Sequence, residues 1–216
     1  TNALALAQEQ DELWLEEGIY TDSAPFLLAT PNLALVGGFT NGMANRADRD
    51  WARYPVMLSG ESARRVMTVT ATNARLDGLT IAFGKLTASK TYGAGLYMAT
   101  AGSLALDNCQ FVSNSLASSD LNGAGAYFSG CTVALSNCVF RANWGTTGRD
   151  YGCGFYALNA FVSLADCLFT NNYNSSFSGR GAALYANGGS LLADRCEFLN
   201  NTAARGEGAT VMGGGA

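Results

Sequence analysis

Side chains able to do chemistry are few in this chain. Three aspartates, Asp77, Asp107 and Asp194, recur at one point of a spacing pattern, two residues before Leu79, Cys109 and Cys196. If Asp77 and Asp107 lie side by side, they are the best carboxylate pair on offer, and two carboxylates about 5–9 Å apart are what glycosidic hydrolysis needs. Asp166 and Arg195 fall in the neighbouring column. Acids beside a turn are more often solvated turn formers than catalysts, so no catalytic residue is assigned. The one charge-dense stretch, residues 41–65, holds Arg46, Asp48, Arg49, Asp50, Trp51, Arg53, Arg64 and Arg65. It reads as an anion or sugar site, or as a loop held on its neighbours by its own ion pairs with Trp51 as anchor; the second reading is preferred. The chain has 6 Cys and no His. Without His there is no serine triad and no imidazole acid–base chemistry. Without His or a Cys-x-x-Cys pair no metal site is indicated, and no cofactor is expected.

The elements that position these residues come from an internal repeat. Gly93-Ala94-Gly95-Leu96-Tyr97 returns at Gly123, Gly152 and Gly181, and a cut-off copy starts at Gly208, in steps of 30, 29, 29 and 27 residues. A second motif travels with it. It reads Leu104-x-Leu106-x-x-Cys109-x-Phe111-x-x-Asn114, with copies ending at Asn143, Asn172 and Asn201. Apolar residues in each copy alternate with period two, the strand period. A unit of this length cannot bury its own apolar face, so units must stack. The predicted fold is all-β: a single-stranded parallel β-helix of about seven coils. Residues 1–216 are read as one domain. Residues 1–40 form the N-terminal cap and first coils, 41–65 the charged insertion and 66–216 the regular coils. Residues 3–10 are good helix formers and are expected to make a short helix over the open end of the core. The chain stops inside a new coil, at Val211 to Ala216, which suggests a piece of a longer protein or an end covered by a partner.

In a β-helix equivalent residues stack about 4.8 Å apart. Ala94, Ala124, Cys153, Ala182 and Ala209 form a small interior column, and Leu96, Ala126, Phe155, Leu184 and Val211 an apolar one. Phe111, Phe140, Phe169 and Phe198 should stack inside. Asn114, Asn143, Asn172 and Asn201 fall at a turn, where Asn tolerates left-handed backbone and bonds from coil to coil. Cys109, Cys138, Cys167 and Cys196 form a thiol ladder. Its side chains run parallel, which suits buried free thiols better than disulfides. Cys131, off the ladder, is expected to be the exposed cysteine.

Tyr97, Tyr127, Tyr156 and Tyr185 have the opposite parity and should face outward, offering rings to a sugar or a protein. The turns after each Phe-x-x-Asn add Trp144, Arg149, Asp150, Tyr173, Arg180 and Arg205. Loops stacked along a solenoid edge make an extended recognition surface. The alternative is that the tyrosines merely pack on one another. The net charge is −4, with no run of Lys or Arg, so a nucleic-acid partner is disfavoured. No apolar stretch reaches 18 residues, so direct membrane insertion by this segment is not expected.

The paired Gly-x-x-(Leu/Ala/Phe) and Phe-x-x-Asn motifs resemble the repeats of the chlamydial polymorphic outer-membrane proteins, with Ala or Cys at the second position of the first motif. Residues 11–20, Val36-Gly37-Gly38-Phe39, Arg49-Asp50-Trp51, Leu58-Ser59-Gly60 and Leu76 to Ile81 are similar to a broader set of bacterial right-handed β-helix surface proteins. The resemblance implies a right-handed coil. It also implies an autotransporter-like passenger at the extracellular or outer-membrane surface of a bacterium, and adhesion to a glycan or a host or partner protein. Three functions therefore stand side by side. The preferred one is a non-catalytic adhesin; the others are a polysaccharide lyase or glycoside hydrolase, and a purely structural stalk.

Overall fold

The computed structural model describes residues 2–89, 91–146, 148–175, 178–204 and 210–212, with residues 2 and 210–212 as backbone only. The apolar alternation of each repeat becomes three short strands per coil, stacked on their counterparts in parallel sheets of 12, 7 and 5 strands. The first sheet has two limbs. One runs through Glu12–Glu16, Ala34–Phe39, Ala74–Asp77, Ser103–Asp107 and Thr132–Ser136. The other runs through Phe26–Leu28, Met67–Val69, Leu96–Met98 and Ala126–Ser129, and the two fuse in the long strands Phe155–Ala165 and Leu184–Asp194. The second sheet carries the Phe motif and the third the residues after each Asn. Among the described residues, seven rungs on the second sheet and five on the third make about five complete turns, against about seven coils predicted.

Two corners per coil turn the chain. Asn108, Asn137, Asp166 and Arg195 have φ of 53°, 51°, 55° and 48°; Ser113, Ala142, Asn171 and Asn200 have φ of 55°, 54°, 53° and 55°. The left-handed residue is thus the one before each ladder Asn, not the ladder Asn itself as expected. The first glycine of the Gly motif makes a third bend, with φ of 68°, 68°, 62° and 64° at Gly93, Gly123, Gly152 and Gly181, a conformation open to Gly at no steric cost.

The interior follows the predicted parity. Phe111, Phe140 and Phe169 are fully buried and stack at 4.5 and 4.8 Å with nearly parallel rings. Phe198 continues the stack at 4.9 Å but, on the last described rung of its sheet, is 42% exposed. Asn114, Asn143 and Asn172 point inward and are buried. The Asn143 carboxamide oxygen accepts from the Asn114 backbone N–H at 3.1 Å and its Nδ2 at 3.0 Å. Asn143 Nδ2 donates to the Phe111 carbonyl at 2.9 Å and to Asn172 Oδ1 at 3.0 Å. Among the described residues no buried side-chain polar atom lacks a partner.

Three register and burial expectations change. Val211 pairs with Ala186 rather than Leu184, because the last step is not the 27 residues read from Gly208. Ala209 and Arg205 lie outside the described residues. Cys131 is buried, 2% exposed, because it packs into the main core beside Val133. The partly exposed cysteine is instead Cys196.

The N-terminal helix α1 (Asn2–Leu6) forms over the core, with Leu4 and Ala7 packed against it. A cavity of about 190 Å³ remains between it and Leu13, Leu15, Tyr20, Phe26, Leu35 and Leu58. The charge-dense stretch is not all loop, since Val56–Ser59 forms a rung of the second sheet. The rest clamps onto the coils. Gly38 and Gly78 leave room for Trp51, where an added Cβ would come within 2.6–2.8 Å of its atoms.

Candidate binding surface

The carboxylate pair is tied up. Asp77 is 3% exposed and receives Arg49 Nη1 at 2.8 Å, Arg75 Nη2 at 3.1 Å and Asn108 Nδ2 at 2.8 Å. Arg75 Nε reaches on to Asp107 at 2.9 Å. Burial works to raise the Asp77 pKa, but the hydrogen bonds from Arg49 and Asn108 and the guanidinium charges outweigh it and hold the carboxyl below its ordinary value. A carboxylate so saturated neither donates a proton nor attacks a sugar. Arg46 binds Glu12 at 2.7 Å and lies 3.8 Å from Asp77, joining the same network. The charged stretch therefore behaves as the self-paired loop, anchored by Trp51. Asp166 and Asp194 are both held by Arg195 on the surface.

The tyrosine column faces outward, as its parity requires, but does not offer open rings. Tyr127, Tyr156 and Tyr185 are only 5%, 7% and 6% exposed. They stack at 5.3 Å from rung to rung, and Tyr97 adds to the stack at 5.5 Å. In the neighbouring column of Tyr92, Asn122, Tyr151 and Arg180, Tyr92 and Tyr151 pack against the stack, as does Leu158. Tyr92 lies 4.8 Å from Tyr127, and Tyr151 lies 5.0 Å from Tyr185. Arg65 closes the start of the column. Its guanidinium sits 4.7 Å above the Tyr97 ring and donates to the Tyr92 and Gly93 carbonyls at 2.7 and 2.9 Å. The result is a second, external hydrophobic cluster, not a platform. Burial pushes the Tyr127 phenol up to about 12 and raises that of Tyr156.

The third sheet carries exposed rings. Lys85, Ser115, Trp144, Tyr173 and Thr202 pair on its successive rungs, and of these Ser115 is buried, 4% exposed. Trp144 and Tyr173 are 36% and 47% exposed. Arg149 is exposed in the loop that follows Trp144. Arg180 is exposed too, but it belongs to the Tyr92/Tyr151 column, so the predicted site residues divide between two faces. Asp150, expected in the recognition loops, is fully buried and its carboxylate accepts the Leu121 backbone N–H at 3.2 Å. Tyr92, Tyr151 and Arg65 were not singled out for the tyrosine face. Their only signal was that Tyr92 and Tyr151 precede equivalent glycines.

The ladder cysteines are free thiols. Hydrogen bonding to Cys109 and Cys167 and burial push Cys138 well above the usual thiol range, and burial takes Cys131 up to about 11. Among the described residues no group of three or more His, Cys, Asp or Glu converges on a metal site.

The parallel stacking of all three sheets agrees with the comparison against protein families, in which residues 67–216 match the model of the right-handed β-helix region. The chain belongs to the right-handed β-helix family. No curated protein and no solved structure compared with it matches. In this β-helix the matched segment begins at Met67 and takes in the tyrosine column, the thiol ladder and all but the first two rungs of the second sheet. Among the described residues no helix is long and apolar enough to cross a membrane.

Proposed function

We propose that this β-helix is a non-catalytic binding module that recognises a glycan or a partner protein through the outer edge of its third sheet. The observation that carries the reading is the exposed Trp144–Tyr173 pair on adjacent rungs, with Arg149 in the loop beside it. Two exposed aromatic side chains one rung apart offer apolar faces with polar tips, groups suited to a sugar ring or a protein hot spot. Successive loops along the same edge extend it. The repeat motifs resemble those of chlamydial surface proteins, which supports display outside the cell at a bacterial surface and an adhesive role. The engagement of Asp77 and Asp107 with arginines counts against the hydrolase reading.

The test is binding of the labelled 216-residue chain to an array of acidic and neutral glycans and to host cells. Saturable binding that falls at least tenfold in the Trp144→Ala/Tyr173→Ala double variant, with the circular dichroism unchanged, is the expected result. Binding that survives the double variant, or new reducing ends on any polysaccharide, overturns it.

A further inference from the structure

Four pairs in the chain place an Asn or Asp directly before a glycine: Asn41-Gly42, Asp77-Gly78, Asn122-Gly123 and Asn187-Gly188. Such a pair is able to close on itself. The glycine nitrogen attacks the side-chain Cγ, a five-membered succinimide forms, and ammonia leaves from Asn or water from Asp. Glycine has no Cβ to obstruct the approach. Closure asks three things of the fold: a glycine N–H that no carbonyl holds, a side chain free to turn, and a backbone free to rotate.

The coils deny this to three of the pairs. The Asp77 carboxylate is held by Arg49, Arg75 and Asn108, and the Gly78 N–H donates to the Asp107 carbonyl at 2.9 Å. The Gly123 N–H donates to the Tyr151 carbonyl at 3.0 Å, and Asn122 Oδ1 accepts from the Tyr151 N–H at 3.2 Å. Asn187 lies inside the strand Leu184–Asp194, paired with Leu158 on one side and Met212 on the other. Its carboxamide hydrogen-bonds the Tyr156 phenol, and Asn159 crowds Gly188. At these places ring closure must wait for the strands to open.

Asn41-Gly42 differs on every count. Both residues are exposed, in a turn closed by the Met43 N–H donating to the Thr40 carbonyl at 3.1 Å. Gly42 takes the third position with φ of 84°, as a type II turn requires. Among the described residues nothing accepts from the Gly42 N–H and nothing bonds the Asn41 carboxamide. Beyond its two chain neighbours, no atom comes within 4 Å of where a Gly42 Cβ would stand.

We propose that Asn41 is a site of spontaneous deamidation, the one of these four pairs that reacts in the folded chain. Ammonia leaves as the succinimide forms, and water opens the ring at either carbonyl to give aspartate or isoaspartate at position 41. No oxidant or reductant takes part. The product adds a negative charge next to Thr40, whose hydroxyl donates to Glu17 at 2.8 Å. The isoaspartyl form also lengthens the main chain between Thr40 and Met43.

The experiment incubates the folded 216-residue chain at neutral pH and body temperature and maps its peptides by mass spectrometry. A protein isoaspartyl methyltransferase with a labelled methyl donor marks the isoaspartyl product. A gain of one mass unit and the methyl label are expected in the peptide carrying Asn41, at least tenfold faster than at Asn122, Asn187 or Asp77. The chain unfolded in urea should lose this selectivity, with Asn122 and Asn187 reacting within severalfold of Asn41. Asn41→Gln should fold, as circular dichroism checks, and lose the label from that peptide. No isoaspartate at position 41, a rate there no greater than at Asn122 or Asn187, or selectivity that persists in urea overturns the proposal.

Discussion

Asn143 shows how one side chain carries a corner. Replacing it with Ala leaves the Asn114 N–H and Nδ2, the Phe111 carbonyl and Asn172 Oδ1 each short of a partner in the interior. A buried polar group left without its bond costs about 1–3 kcal/mol. The expected loss in urea denaturation is therefore at least about 3 kcal/mol for Asn143→Ala. Asn143→Asp should be worse, because a carboxylate cannot donate to Phe111. The tyrosine wall makes a second prediction at this scale. The Tyr127 pKa is raised to about 12 in the folded chain, from an ordinary value of 10.0. The folded state then holds a proton that the unfolded chain releases. Stability from this group is complete below pH 10 and is lost as pH rises toward 12. Absorbance of phenolate should show some of the 9 tyrosines titrating late, together with unfolding, and Tyr127→Phe should remove part of the alkaline fall in stability.

At the scale of the element, the charged segment is a clamp rather than a site. Arg49 bonds both oxygens of Asp77 and is itself mostly covered, with its side chain 12% exposed. Removing one member of such a buried pair costs about 3–5 kcal/mol, so Arg49→Met should fall toward that range, moderated by Arg75 and Asn108, which stay bound to Asp77. The pH dependence has the opposite sign to that of the tyrosines. The Asp77 pKa is lowered on folding, so its contribution is present above the unfolded value of 3.8 and is lost as pH falls below it. Asp77→Asn should flatten the acid limb of stability measured by thermal melts between pH 5 and pH 2. A flat acid limb in the native chain would show that the pair does not hold the segment.

On the scale of the whole molecule, stability is the sum of rungs and the contacts between neighbouring rungs. Phe111, Phe140 and Phe169 and the Asn residues that follow them are fully buried, while Phe198 is 42% exposed and Asn201 only partly buried. Hydrogen exchange should therefore be slowest at the backbone of Phe111 and Phe140 and faster at Phe198. Phe140→Ala, which opens a hole between two stacked rings, should cost about 3–5 kcal/mol. Equal protection along the whole solenoid would mean that the rungs unfold as one unit.

Repeat spacing and parity alone determined the parallel β-helix, the interior Phe and Cys ladders, the existence of an Asn column and the outward side of the tyrosines. These follow because each coil repeats the same residue types about 29 positions on, and stacking brings identical positions together. The N-terminal helix and the two first strands were legible for a similar reason, since local propensity and alternation decide them. Only the tertiary structure decided what surrounds an outward side chain. It filled the gaps of the tyrosine column with Tyr92 and Tyr151, buried Cys131 and Asp150, and moved the left-handed corner to the residue before each ladder Asn. It also chose between the two readings of Asp77, which came down to where Arg49 lands from 28 residues away. Period and parity tell which way a side chain leaves the backbone. Whether it then meets water, a ring or a guanidinium depends on neighbours brought in from other columns and other loops.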